Sequence, residues 1–560
     1  MKNSFHSALT CAALVLAGCT VQPVQPPASQ APDEFSSPGQ ALTYHVFMGE
    51  LALQRGETQT ALLQYAKAAQ VGQDPALAQF ATLLAYSSGQ DPLAMKLTRR
   101  WLQLAPDDAA ARHYQAVLNA SLGNTDAAVD EFKKLLADTP GENLQLIAGL
   151  LGQETSASQG LPVMQKLVAS DPGSAQAHFA LAQLAMHFNH ARLAVDEAGR
   201  ALELQPGLDQ AVVLEARALL ALGDGNKALQ LLKLHTSAQP SNIRLRMAYA
   251  ATLAQSQQLP QARAEFNAVL QQYPDQPEAL YSLGLLALQD NDLKAATGYF
   301  THLLKTGQRD NEARFYLGNT CELSGRYARA LHWYRQVDGG SQWLAAQISV
   351  ARILLLRKDA ESARRAVDNA VNLDPEDGVQ LRIAESELFS DHGNNAAALV
   401  VLNQGLGENP GNTDLLYARA LLRDSSGDSA AAETDLREIL SRKPDDADAL
   451  NALGYLMTEH SRNYLEARTY ISRALQLKPD DPAIIDSMGW VEYRLGNYPQ
   501  ALEYLRKSYA STSDPEIAAH LTEVLWASGD KQEAHRIWSS AVKQHPGNAA
   551  LLKIGKQLFP

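Results

Sequence analysis

The sequence predicts an all-α solenoid, a stack of about 15 helical hairpins, and three observations carry that reading. At 560 residues the chain outgrows the roughly 250–300 residues at which a single hydrophobic core stops growing, so it holds several domains or a repeat array. Alanine and leucine, both strong helix formers, dominate after residue 40. Two ladders then run in register. Prolines stand at 106, 140, 172, 206, 240, 274, 375, 410, 444, 479 and 546, mostly 34 residues apart. Alanines stand at 61, 94, 128, 194, 228, 262, 296, 330, 363, 398, 432, 467, 501 and 534, with Gly160 on the one missing rung.

Composition narrows the function classes. Hydrophobic content of 46% with 19% charged residues suits an ordered chain. Forty-eight basic residues against 61 acidic ones, a net charge of −13, argue against a nucleic-acid partner, which requires a basic footprint. No apolar run reaches the length of about 18 residues that a membrane-spanning helix needs. Three cysteines cannot build a disulfide framework.

Taken in order, residues 1–18 read as an address. Lys2 precedes a short apolar core, Leu9 to Leu16, too short to span a bilayer. Leu16-Ala17-Gly18-Cys19 resembles a bacterial lipobox, which implies signal cleavage and lipid attachment at Cys19. By the same analogy Thr20, where an aspartate would signal inner-membrane retention, implies the periplasmic face of the outer membrane of a Gram-negative cell. Residues 19–38 carry Pro23, Pro26, Pro27, Pro32 and Pro38 among Gln, Ser and Ala, the composition of an extended, solvated tether. Lipid and tether would hold the body at a membrane surface. Cys11 leaves with the signal and Cys19 takes the lipid, so Cys321 is left without a disulfide partner.

From 39 to 546 each unit has one anatomy. An apolar-periodic stretch ends at a break such as Leu122-Gly123-Asn124 or Leu495-Gly496-Asn497, and a second stretch runs on to the proline. Glycine caps the first helix and proline stops the second. The ladder alanine opens the second helix, where a bulky side chain would force the two helices apart. Such a hairpin cannot bury its apolar face alone; stacked copies bury it together. Residues 547–560, with Leu551, Leu552, Ile554 and Leu558, read as the helix that caps the stack.

This pattern resembles the tetratricopeptide repeat, most fully in Leu283-Gly284, Ala296 and Phe300 and in Leu317-Gly318, Ala330 and Tyr334. The resemblance covers about 90% of the chain and implies a right-handed superhelix that binds proteins. Two stretches depart from it. Residues 141–172 lack the ladder alanine and hold Pro162, and Val337-Asp338-Gly339-Gly340-Ser341 loses the proline; a bend is expected at one of them, with 337–341 favoured for its glycine pair.

Family geometry places four first-helix positions of each unit on a binding groove. Read out here, they nominate Tyr281, Phe315, Asn319, Arg352, Tyr417, Tyr455, Asp486, Trp490, Tyr493 and Trp526. Rings supply contact area and charges fix register, which suits extended or helical peptides; the same rings could equally fill gaps between neighbouring helices. Clamping of a C-terminal carboxylate is not expected, since Phe315 rather than Lys stands one turn before Asn319.

No catalytic, metal or cofactor site is expected. His187 and His190 have no evident third ligand. Ser540 and Lys543 match Ser-x-x-Lys by spacing alone, and Cys321 sits at a helix-packing position. The runs Ala449-Leu-Asn-Ala-Leu-Gly-Tyr455 and Asp481-Pro-Ala-Ile-Ile-Asp-Ser-Met-Gly-Trp490, with the lipobox and the repeat content, resemble the LbcA-type lipoproteins. That resemblance implies a non-catalytic periplasmic adaptor that binds and activates a carboxyl-terminal processing protease and presents substrates such as peptidoglycan cross-link hydrolases. The alternative is an outer-membrane scaffold for exopolysaccharide export or pilus assembly.

Overall fold

The computed structural model describes residues 35, 37–137, 143–461 and 463–559. The expected signal, Cys19 and nearly all of the tether lie outside the described residues, as does ladder Pro140. The described residues form thirty-one α-helices and no strand. The chain packs as two compact units, Met1–Glu265 and Phe266–Pro560.

The hairpins of the first unit are α1 and α2 (Pro38–Gln54, Thr58–Val71), α3 and α4 (Pro75–Ser87, Asp91–Leu104), α5 and α6 (Ala109–Ser121, Thr125–Ala137), α7 and α8 (Asn143–Glu154, Ala157–Ser170), α9 and α10 (Ala175–His187, Ala191–Leu204), and α11 and α12 (Asp209–Ala221, Gly225–Ala238). A further hairpin, α13 and α14 (Ile243–Gln255, Leu259–Gln272), contains the boundary between the units. The second unit continues with α15 and α16 (Pro277–Gln289, Leu293–Lys305), α17 and α18 (Asp310–Leu323, Tyr327–Tyr334), α19 and α20 (Trp343–Leu356, Ala360–Leu373), and α21 and α22 (Gly378–Asp391, Asn395–Glu408). It ends with α23 and α24 (Thr413–Ser425, Ser429–Arg442), α25 and α26 (Ala447–His460, Tyr464–Leu477), α27 and α28 (Pro482–Arg494, Tyr498–Ser511), α29 and α30 (Pro515–Ser528, Lys531–Gln544), and the single helix α31 (Ala549–Leu558). Fifteen hairpins are what the two ladders predict, and α31 follows them.

The ladder alanines account for the stacking. All fourteen have no accessible surface, and Gly160 is buried on the missing rung. One turn after the rung stands a large side chain, and the facing first helix answers it with a glycine. A Cβ on Gly284 would come within 2.6 Å of the Phe300 ring, one on Gly318 within 2.7 Å of Tyr334, and one on Gly454 within 2.5 Å of Ile471. Phe300 and Tyr334 are thereby fully buried, each burial stabilising the hairpin by about 1.5–3 kcal/mol. In the second unit the core passes from hairpin to hairpin as successive apolar clusters, from Leu280–Leu317 through Ala330–Leu422, Leu416–Val491 and Trp490–Ala534 to Ala518–Ile554.

The break at 337–341 lies inside the second unit and marks a shortened helix: α18 has 8 residues where α16 has 13 and α20 has 14. The chain turns early because α17 holds it. Arg314 donates to the Gln336 carbonyl at 3.1 Å, and the Asp338 amide donates to Asn311 Oδ1 at 3.3 Å.

Candidate protein-binding face

Aspartates position the first helices of the last hairpins. Asp481 Oδ1 accepts from the Ala483 and Ile484 amides at 2.9 and 3.3 Å, and Asp514 does the same for Glu516 and Ile517. Pro482 and Pro515 follow as pre-set first residues that have no amide to leave unpaired. With α27 started there, Asp486, Trp490 and Tyr493 fall at i, i+4 and i+7 on one side of the helix.

These residues form one cluster with side chains of α25 and α29. Trp490 is only 6% exposed and stacks on His520, ring centres 4.2 Å apart. Its indole N–H donates to Glu459 Oε1 at 2.7 Å, and Arg494 donates to the same oxygen at 3.2 Å and to the Tyr464 hydroxyl at 3.0 Å. His520 Nδ1 lies 2.9 Å from Asp486 Oδ2. Burial pushes the imidazole pKa down, but Asp486, Glu459 and Glu516 outweigh it and raise the pKa overall. A protonated His520 on the Trp490 face is a cation on a π surface. The phenol of Tyr455 is raised by burial first, and then by Glu459, Asp486, Glu516 and Asp424. The cluster is thus aromatic, acidic and partly desolvated.

Two acceptors on these helices are unused. Asp486 Oδ1 and Asn451 Oδ1 are buried with no hydrogen-bond partner among the described residues, on adjacent first helices. An unpaired buried acceptor costs about 1–3 kcal/mol, a penalty that a donor from water or a ligand removes. Tyr493 donates to Glu523 at 3.4 Å beside the cluster, while Trp526 packs edge-on to Phe559 at 5.1 Å with the Lys531 ammonium 4.8 Å from its ring. Tyr417, half-buried on α23, has its phenol raised by burial and then by Asp448 and Asp446.

A second group lies at the start of the unit. The Arg309 guanidinium sits 4.0 Å from the Tyr281 ring centre, and the Tyr281 hydroxyl donates to that of Tyr316 at 3.4 Å. Tyr316 stacks on Phe300 at 5.1 Å and meets Phe315 edge-on at 5.1 Å. Arg352 pairs with Glu322, one of its two contacts being 3.0 Å, and Glu322 also accepts from the Tyr334 hydroxyl at 2.9 Å. Asn319 is half-buried one turn after Phe315.

The ten nominated side chains therefore divide. Asp486 and Trp490 pack mainly between hairpins, whereas Tyr281, Phe315, Asn319, Arg352, Tyr417, Tyr455, Tyr493 and Trp526 keep accessible surface. Sequence reading missed His520, Glu459, Arg494, Tyr316 and Arg309. His520 stands 14 residues before its ladder alanine Ala534, whereas the nominated Asp486 stands 15 before Ala501, so a strict register passes His520 by.

The remaining candidates are placed simply. His187 packs on Phe188 at 5.2 Å, and no group of three or more His, Cys, Asp or Glu side chains among the described residues is arranged to hold a metal. Ser540 accepts from Gln544 at 3.4 Å, and Lys543 points to solvent. Cys321 is half-buried against an apolar cluster, and burial pushes its thiol pKa up.

Comparison with known proteins agrees with this architecture. Family models described as tetratricopeptide repeat match residues 219–286, 281–342 and 411–545. The TPR repeat-containing protein PA4667 of Pseudomonas aeruginosa is 32% identical over 499 residues, 88% of this chain and 84% of that protein. Type IV pilus assembly protein PilF of the same species is 25% identical over 30% of this chain and 68% of its own length. Cellulose synthase operon protein C of Xanthomonas axonopodis is 25% identical over 80% of this chain, which spans about a third (32%) of that longer protein. An alanine-registered hairpin array and a relative matched along most of its length lead to one assignment: the chain belongs to the tetratricopeptide-repeat protein family.

Proposed function

We propose that the protein is a lipid-anchored periplasmic scaffold that binds other proteins through the first-helix face of its second unit. The supporting observation is the cluster on α25, α27 and α29, where the Tyr455, Tyr493 and Trp526 rings keep accessible surface alongside the carboxylates of Glu459 and Glu523. Partly exposed rings beside carboxylates suit a partner that brings both apolar area and hydrogen-bond donors. The lipobox-like Leu16–Cys19 run supports attachment through Cys19 to the periplasmic face of the outer membrane.

Within that reading, the partners are a carboxyl-terminal processing protease and its substrates. Holding enzyme and substrate on one long body raises their effective concentration without new chemistry. A second reading, a scaffold for exopolysaccharide export, draws support from the similarity to cellulose synthase operon protein C over 80% of this chain. Affinity capture on tagged protein in a periplasmic extract tests both. The adaptor reading expects a protease that is lost on Tyr493→Ala with Trp526→Ala; recovery of polysaccharide-export components and no protease contradicts it.

A further inference from the structure

The shortened helix α18 opens a feature elsewhere in the second unit, between α18, α19 and α20. With α18 ending at Tyr334, the side of α20 is left uncovered. Two adjoining recesses result, the larger of about 500 Å³, and Arg335 lines both. Arg357 and Gln336 complete one; Gln347, Arg365 and Asn369 complete the other.

The charge around them reverses the sign of the molecule. From Arg326 to Arg365 the sequence holds eight Lys and Arg against three Asp and Glu, a local charge of +5 in a chain of −13. Arg352 and Arg365 are paired with Glu322 and Glu361, but the other six are not. Arg326, Arg329, Arg335, Arg357, Lys358 and Arg364 are exposed and make no ion pair among the described residues. Two of the three nearby carboxylates are engaged: Asp359 accepts the Ser362 amide at 3.1 Å and Glu361 accepts from Arg365 at 2.7 Å. Elsewhere in the unit cations are paired across helices, as in Arg473 with Asp445 at 2.5 Å and Lys478 with Asp448 at 2.8 Å. An array of unpaired cations in an acidic protein is an electrostatic target for anions.

We propose that this cleft is a second docking surface, distinct from the first-helix face, and that it takes an acidic segment of a partner protein. Charge complementarity selects an anion. The recessed shape and the amide side chains of Gln336, Gln347 and Asn369 select an extended chain, whose backbone they can hydrogen-bond while the arginines take its carboxylates. A bilayer surface is flat and does not enter such a recess.

The test is fluorescence anisotropy on the full-length chain with a labelled peptide of about a dozen residues alternating glutamate and glycine. Its lysine counterpart and phosphatidylglycerol vesicles serve as the other arms. The glutamate peptide binds, and affinity falls about tenfold in Arg335→Ala with Arg357→Ala and falls again as salt rises. Arg473→Ala, whose charge is already paired, leaves binding unchanged, as does Tyr493→Ala on the first-helix face. Absence of glutamate-peptide binding, equal binding by the double variant, or vesicle capture that depends on the same arginines overturns the proposal. Loss of partner capture on the first-helix face with intact peptide binding would bear only on the proposed function.

Discussion

Single residues decide how closely the helices approach. A Cβ on Gly454 would come within 2.5 Å of Ile471 and 2.9 Å of the Ala467 carbonyl, and Ala467 has no accessible surface, so Ala467→Leu must push α26 away from α25. A loss of about 1–3 kcal/mol is expected, read as faster hydrogen exchange in that hairpin. This layer of the fold was legible, because a position that excludes every larger side chain leaves an alanine in each repeat. Buried charge was not legible. Arg382 and Glu385 have side chains 2% and 0% exposed, and nothing in the repeat pattern singles them out. Arg382 is already engaged by Glu408 at 2.8 Å and Asp368 at 2.7 Å, so Glu385 is a surplus carboxylate with Oε1 unpaired. Burial pushes its pKa up to about 7 against the pull of Arg382. The folded state then keeps a proton that the unfolded chain releases near pH 4.5, so stability falls as pH rises from there to about 7 and stays low above it. Amides of α20 to α22 should exchange faster near pH 8 than near pH 5, after correction for intrinsic rates. Glu385→Gln should remove most of that difference, which is about 2–3 kcal/mol at most.

At the scale of the element, turns and caps set where each helix begins and ends. Most turns inside a hairpin place a glycine at positive φ, as Gly496 does at 84°. Gly496→Ala should destabilise the hairpin of α27 and α28 by about 1–2 kcal/mol, seen as a lowered urea midpoint for the second unit. Asn189, Gln257, Asn291 and Lys358 adopt the same conformation without glycine, so those turns carry no glycine signal although their geometry is the same. The lost proline and the glycine pair at 337–341 were visible and suggested a bend. Their structural content is a helix cut short by its contacts with Arg314 and Asn311, which are distant in sequence. Period and breaks thus located the elements, but the length of α18 depended on tertiary contacts.

For the whole molecule, an array in which hairpins contact their neighbours is stabilised locally, and its ends need covering. Helix α31 covers Trp538, whose indole N–H donates to the Leu551 carbonyl at 2.9 Å and whose ring lies against Gly555. Truncation after Asn548 should deprotect α29 and α30 in hydrogen exchange and leave α15 to α20 unchanged; uniform loss across the second unit would show longer-range cooperativity than this account allows. The central claim is that partners dock on the first-helix face of α25, α27 and α29. Site-specific photo-crosslinking in cells tests it most directly, with the photoreactive residue placed at Tyr493 or Trp526 and, for comparison, at the exposed second-helix position Arg506. The account predicts protein adducts from Tyr493 and Trp526, a processing protease or its substrates among them, and none of these from Arg506. The same adducts from all three positions, or none from the first-helix face, would contradict it.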